Sequence, residues 1–391
     1  MKPFKIGIWI DKNDFPEVGG GFSYTEKLVS GINDKDFQPT IQIYFIGFNL
    51  QPIYKKPIIN LPYLESFYQT KKVNFFHKFF GLNLERNDIR KIHQDSKAIL
   101  KDNEIEVIFY PNPFIVIKDF PFLFVNWDIG HKSTHAFPEL SMNSEFQLRD
   151  KNYSELYNKA LFICSESETG KAEISNYFNI NPHRIKVLPM FPGRIIEEAV
   201  AESVPKFINS DQSFFLYPAQ FWPHKNHYNL IIAFSHFIKK EGFRNYKLVL
   251  SGSDKGNYSY IRHLIEELGL EAQIIVPGFI TNEELKWLYK NTKGLIFPTF
   301  LGPTNMPLLE ARALGCRVAC SNLDGHKELM QENAIYFDPH QPHEICEAMV
   351  SLAQTKDRPA PEASSFNRVI EQLETIFHDS IPIRRTWGQK Y

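Results

Sequence analysis

Several short stretches of this chain carry residues able to hold an anion beside a polyhydroxylated group. Lys225 ends the loop Ala219-Gln220-Phe221-Trp222-Pro223-His224-Lys225, between a predicted strand at 214–218 and a helix opened by Asn226. A lysine at such a junction holds phosphate by its charge and by the helix N-terminus together. A second loop, Gly302-Pro303-Thr304-Asn305, follows the apolar run Leu295-Ile296-Phe297 and precedes a helix predicted over 306–314. The backbone N–H groups of Thr304, Asn305 and Met306 fall at that helix start, where phosphate is favoured. Glu310 lies further along the same helix, placed to accept from a sugar hydroxyl. His131 sits in Trp127-Asp128-Ile129-Gly130-His131-Lys132, after a predicted strand at 122–126, and is expected to be exposed to whatever fills a cleft there. Gly19-Gly20-Gly21 follows the first strand and permits close backbone approach to a ligand.

These loops need strands to carry them. Buried apolar runs punctuated by turn residues read as parallel strands at 4–10, 40–47, 106–110, 122–126, 161–164 and 185–188, with helical patterns between most of them. The alternation resumes at 214–218, 246–250, 273–276, 294–297, 317–320 and 334–337. It predicts an α/β fold with two Rossmann-like, doubly wound parallel sheets. Ligands of such sheets bind at the carboxyl ends of the strands, where every candidate loop falls. The expected division is an N-terminal domain over 1–190, a linker over 191–211 and a C-terminal domain over 212–375. A last helix over 376–391 is expected to pack back on the first domain.

Composition narrows the function classes. With 391 residues and a net charge of −1, no basic field draws nucleic acid. The 43% apolar share suits large cores, and no apolar run reaches the length of a membrane span. Four scattered cysteines, Cys164, Cys316, Cys320 and Cys346, read as reduced core residues of a cytoplasmic protein. The glycines do not form GxGxxG, which leaves a nicotinamide-linked oxidoreductase little support. The stretch 49–84 is the hardest to place. Its lysines (Lys55, Lys56, Lys71, Lys72, Lys78) and the run Phe75-Phe76-His77-Lys78-Phe79-Phe80 suit a helical excursion packed on its own domain, or else a surface touching a membrane or lipid-linked acceptor.

The run from Ile274 through Gly315 to Leu329, and on to Ala334-Ile335-Tyr336-Phe337-Asp338-Pro339, resembles the nucleotide-sugar domain of family 4 glycosyltransferases, retaining enzymes of the GT-B fold. The Lys225 loop resembles their phosphate-binding lysine loop, and Asp128-Ile129-Gly130-His131-Lys132 their N-domain histidine loop. The triple glycine resembles their first-strand loop. The resemblance implies transfer of a sugar from a nucleoside diphosphate donor without a required metal. It further implies that Glu310 binds the ribose, that Lys225 neutralises the diphosphate, and that Thr304, Asn305 and Met306 offer N–H groups to diphosphate and sugar. Gly278 and Phe279 would lie beside the base, His131 would contact the donor sugar, and Gly20 and Gly21 would approach the diphosphate or sugar.

Two positions depart from that pattern. The first glutamate of the family's Glu-x7-Glu is here Gly302, and an arginine five residues before the lysine is here Gln220. The loops otherwise resemble a mannosyltransferase-like subgroup. The expectation is therefore a cytoplasmic hexosyltransferase, peripheral at the inner membrane face. Its donor would be GDP-mannose or a UDP-sugar, its acceptor a glycan or lipid-linked acceptor, its setting surface polysaccharide synthesis. The alternatives are a nucleotide-sugar 2-epimerase and a non-catalytic nucleotide-sugar-binding or scaffold protein.

Overall fold

The computed structural model describes residues 2–10, 20–62, 87–363 and 365–388. Strands β1 (Phe4–Ile10), β2 (Ile41–Phe48), β3 (Ile58–Leu61), β4 (Val107–Tyr110), β5 (Phe122–Asn126), β6 (Phe162–Ser165) and β7 (Ile185–Val187) form one sheet in the order β3-β2-β1-β4-β5-β6-β7. Strands β8 (Phe214–Pro218), β9 (Lys247–Ser251), β10 (Ile274–Gly278), β11 (Gly294–Phe297), β12 (Val318–Ser321) and β13 (Ala334–Phe337) form a second, in the order β10-β9-β8-β11-β12-β13. Every ladder in both is parallel. In each sheet the order reverses beside the first strand, which opens a crevice at its carboxyl end. The central strands are buried throughout, as helices on both faces require.

The helices are α1 (Gly20–Asp34), α2 (Asn87–Asp102), α3 (Gly130–Ser133), α4 (Pro138–Ser141), α5 (Glu145–Lys159), α6 (Glu168–Phe178), α7 (His227–Phe237), α8 (Tyr258–Glu267), α9 (Asn282–Asn291), α10 (Met306–Ala313), α11 (Asp324–Met330), α12 (Pro342–Gln354) and α13 (Phe366–Thr386). Among the described residues none is long and apolar enough to cross a membrane. α9 opens with the capping box that Thr281 and Glu284 predict. All four cysteines are free and buried.

Two differences from the sequence reading stand out. β3, an edge strand paired to β2, lies inside the stretch that resisted assignment. Most of that stretch, including residues 75–80, is outside the described residues. Lys55 and Lys56 are described, and both bond within their own domain, to Asp34 at 2.6 Å and to the Lys35 carbonyl at 2.7 Å. The return to the first domain also comes earlier than residue 376. α13 starts at Phe366, and Val369, Ile370 and Leu373 already share a core with Phe4, Leu28 and Phe109. Gln372 donates to the Val187 carbonyl, and Arg384 Nε to the Glu106 carbonyl, both at 2.7 Å. The apolar stripe of one continuous helix, rather than a boundary inside it, decides which sheet it covers.

Candidate active site between the two domains

The carboxyl-end loops of the two sheets meet. Thr134 Oγ1, after β5, donates to the Phe300 carbonyl, after β11, at 3.0 Å. His224, after β8, bonds Glu139 through Nδ1 at 2.6 Å and through its backbone N–H at 3.0 Å. The first two N–H groups of α6 and the Thr169 hydroxyl all donate to Glu328 of α11, at 2.7–2.8 Å. That carboxylate sits where the partial positive charge of α6 favours it. Such long-range pairs have no local sequence signal, and Glu139 and Glu328 went unread for that reason.

Lys225 ends a short 3-10 turn over Pro223–Lys225. Asn226 then takes φ +60°, which turns the chain into α7, and its carboxamide donates to the Pro298 and Pro339 carbonyls at 2.9 Å each. The Tyr217 hydroxyl donates to the Lys225 carbonyl at 2.6 Å. So held, the Lys225 side chain crosses Phe297 and its Nζ donates to Asn305 Oδ1 at 3.2 Å. No carboxylate among the described residues lies within ion-pair distance of it. Burial lowers the ammonium pKa from 10.5 to about 8, against an opposing pull from Asp128 and Glu139. Gln220, in the place of a second cation, accepts from Trp222 Nε1 at 3.0 Å and only braces the loop.

Asn305 does more than the backbone role expected of it. It is the N-cap residue of α10, yet its side chain makes no capping bond. Instead its Nδ2 meets His326 Nε2 at 3.0 Å, and His326 Nδ1 lies 3.0 Å from the Ser321 carbonyl. The carbonyl can only accept, so Nδ1 carries the proton and Nε2 accepts from Asn305. Burial keeps this imidazole neutral, its pKa lowered to about 4. The chain Ser321–His326–Asn305–Lys225 thus aims a cation at the start of α10. There the N–H groups of Thr304 and Asn305 precede the first turn, that of Met306 opens it, and Pro307 contributes none.

Two glycines make this approach possible. A Cβ on Gly325 would fall 1.7 Å from the Pro303 carbonyl oxygen, so the Thr304–Asn305 loop rests directly on the backbone of α11. Gly302 has φ +127°, and a Cβ there would meet Asn305 Nδ2 at 2.4 Å. The carboxylate missing at Gly302 is therefore not a simple truncation. Its space is taken by the amide that holds Lys225.

Glu310 is buried, 6% exposed, on α10. Tyr289 of α9 donates its hydroxyl to Oε2 at 3.0 Å, and the Gly193 N–H also bonds the carboxylate. Burial raises its pKa to about 7, against those two donors and the nearby Lys27. Lys27, on α1, donates to the Pro192 and Gly193 carbonyls at 2.9 and 3.2 Å. The interdomain segment is thereby clamped against Glu310. Tyr289, Gly193 and Lys27 are contributions that spacing along the chain does not disclose.

The remaining candidates divide. α1 starts at Gly20, three residues before the predicted start, so Gly20 and Gly21 form its first turn at the carboxyl end of β1. Gly278 ends β10 with φ +76°, and Phe279 beside it is 85% exposed. His131 is not exposed to the cleft, contrary to expectation. It lies on α3 with its side chain fully buried among Phe146, Tyr153 and Phe178, and neither ring nitrogen has a hydrogen-bond partner among the described residues. Burial, then Arg149, lower its pKa to about 4, so it is a neutral packing group here. The flanking acid, Asp128, does not bond this ring. It pairs with Arg149 at 2.6 Å and accepts from the Gly130 N–H at 2.8 Å. Among the described residues no group of three or more acidic, histidine or cysteine side chains is placed to hold a metal ion.

Comparison with known proteins agrees with this geometry. Residues 201–364 match a family model described as glycosyl transferases group 1. O-antigen chain mannosyltransferase B of Escherichia coli is 27% identical over 212 residues, covering 53% of this chain and 55% of that protein. The chain thus spans about half the length of the curated relatives it matches. Among solved structures, sucrose-phosphate synthase from Thermosynechococcus elongatus superposes with a TM-score of 0.64 at 14% identity, covering 99% and 98% of the two chains. Anabaena HepE, solved with UDP and glucose, superposes with a TM-score of 0.59 at 14% identity, covering 98% and 95%. The architecture is the expected GT-B fold, two parallel-sheet domains facing a cleft.

Proposed function

We propose that the cleft binds a nucleoside diphosphate sugar and transfers its sugar, mannose first, to a glycan or lipid-linked acceptor, with retention at the anomeric carbon. The observation that carries this reading is Lys225, an ammonium aimed by Asn305 and His326 at a helix start with no carboxylate partner among the described residues. Such a group is an anion receptor in waiting. As the glycosidic bond to the diphosphate breaks, negative charge grows on the phosphates, and preorganised donors stabilise it most in the transition state. Lys225 and the N–H groups of Thr304, Asn305 and Met306 supply them. Glu310 accepts from the ribose hydroxyls in place of Gly193 or Tyr289, and the exposed Phe279 lies beside the base. Gly20 and Gly21 close on the sugar from the other domain. The departing phosphate takes the acceptor's proton on the same face, so neither a carboxylate nucleophile nor a metal is needed. Mannose is supported by the names of the relatives, and a role in surface polysaccharide synthesis by the same names.

A non-catalytic nucleotide-sugar-binding protein is the second reading, favoured by one observation: Asn305 fills the space of the carboxylate absent at Gly302. Incubation with GDP-mannose, UDP-glucose and other donors separates the two. Release of nucleoside diphosphate, accelerated by a glycan acceptor and giving a retained anomer, is the expected result. Tight diphosphate binding without turnover on any donor supports the second reading, and binding of none defeats both.

A further inference from the structure

Away from Lys225, at the rim of the cleft, two exposed histidines from different domains meet. His135, after β5, and His340, after β13, place their Nε2 atoms 3.0 Å apart. Both rings rest on Phe300, at centroid distances of 5.9 and 4.8 Å. His340 Nδ1 lies 2.7 Å from Asp338 Oδ1, and the same oxygen accepts from the His340 backbone N–H at 2.9 Å. A carboxylate on Nδ1 fixes the proton there and turns the Nε2 lone pair outward, toward His135. Facing that lone pair, His135 Nε2 either donates a proton to it or turns its own lone pair toward the same point, and in the second case the two nitrogens are set to share a cation. Beside them is a pocket of about 460 Å³, lined also by Ser133, Thr134 and Asn322.

We propose that His135 and His340 clamp a divalent transition-metal ion across the two domains, with Asp338 as the outer carboxylate that orients His340. Imidazole nitrogens select Zn²⁺, Ni²⁺ or Cu²⁺ over Mg²⁺ or Ca²⁺. Metal–nitrogen bonds of ~2.0–2.1 Å at a tetrahedral angle need nitrogens roughly 3.3 Å apart, a few tenths of an ångström beyond their present separation. Two exposed rings reach that by small side-chain rotations. Among the described residues two protein ligands are present, so water or a ligand group in the pocket fills the remaining positions. The ion would fasten the loop after β5 to the loop after β13 and hold the cleft shut. It has no part in the transfer chemistry, and it stands whether or not the nucleotide-sugar reading does.

Chelator-stripped full-length protein titrated calorimetrically with ZnCl₂, NiCl₂ and MgCl₂ tests the clamp. The chain has thirteen histidines, so the site is identified by difference. The wild type is expected to bind one more equivalent of Zn²⁺ or Ni²⁺ than either His135→Ala or His340→Ala, with no displacement by excess Mg²⁺. Asp338→Asn should weaken that equivalent about 10–100-fold. Because one ligand comes from each domain, the equivalent must vanish in both single variants. Identical stoichiometry in wild type and variants, or loss in only one of them, overturns the proposal and leaves a hydrogen-bonded imidazole pair. All three residues are on the surface, so the substitutions leave the fold intact.

Discussion

Lys225→Met tests the charge at the centre of the site through its effect on stability. Burial lowers the ammonium pKa from 10.5 to about 8. Each tenfold loss of proton affinity is ~1.4 kcal/mol, so keeping Lys225 charged costs the ligand-free protein about 3 kcal/mol at neutral pH. The unfolded chain keeps this proton up to 10.5, whereas the folded chain releases it near 8. Between those values the unfolded state holds more protons, and the stability contributed by Lys225 rises with pH. Methionine has no proton to release. It does leave Asn305 Oδ1 unpaired, a loss of about 1–3 kcal/mol, but that loss is independent of pH and cancels when the same two proteins are compared twice. Denaturant unfolding at about pH 7 and about pH 9.5 is the assay. The wild type is expected to gain about 2 kcal/mol on the variant over that interval. Saturating nucleoside diphosphate pairs with the ammonium, restores its proton affinity, and should flatten the gain. A stability difference that does not change with pH would refute the assignment of Lys225 as a desolvated cation without a carboxylate partner, and wild-type diphosphate affinity in the variant would refute its role toward phosphate.

Glu310→Gln should weaken nucleoside diphosphate binding about 10–100-fold in a direct titration, since charge-assisted bonds to ribose hydroxyls contribute ~1.5–3 kcal/mol; unchanged affinity sinks the ribose role. His131→Phe should keep stability within ~1.5 kcal/mol, because the ring is a neutral packing group whose nitrogens bond nothing. A folded variant with turnover lost would return His131 to the chemistry. Gly325→Ala forces the loop at Pro303 to move, and should cost about 1–3 kcal/mol of stability together with diphosphate affinity; retention of both would mean the loop is not seated as drawn. Phe297→Ala, at a site 1% exposed beneath Lys225, should destabilise by ~3–5 kcal/mol in chemical unfolding.

Much of the fold was open to reading because it rests on local signals. Buried parallel strands are continuous apolar runs whichever neighbour they pair with, so strands such as Phe4–Ile10, Phe122–Asn126 and Phe214–Pro218 fall where their residues predict. The loops at their carboxyl ends follow, and with them the positions of Lys225, Asn305 and Glu310. β3 escaped because Asn60 interrupts its short apolar run between Pro57 and Pro62. The domain that the first turns of α13 cover escaped because helical periodicity says which face is apolar, not which sheet receives it.

What side chains do at the site was decided by contacts between residues far apart in sequence. His131 has the same neighbours in sequence whether it faces the cleft or the core. Only Phe146, Tyr153 and Phe178 closing around it settle the matter. Asn305 reads as a helix cap until His326 and Lys225 are seen on either side of its amide. Gly302 reads as a lost carboxylate until the same amide is found in its place. The residue types along this chain determined which chemistry each loop could offer. Burial and long-range hydrogen bonds decided which of those groups face the cleft, because desolvation and pairing depend on neighbours that the linear order does not specify.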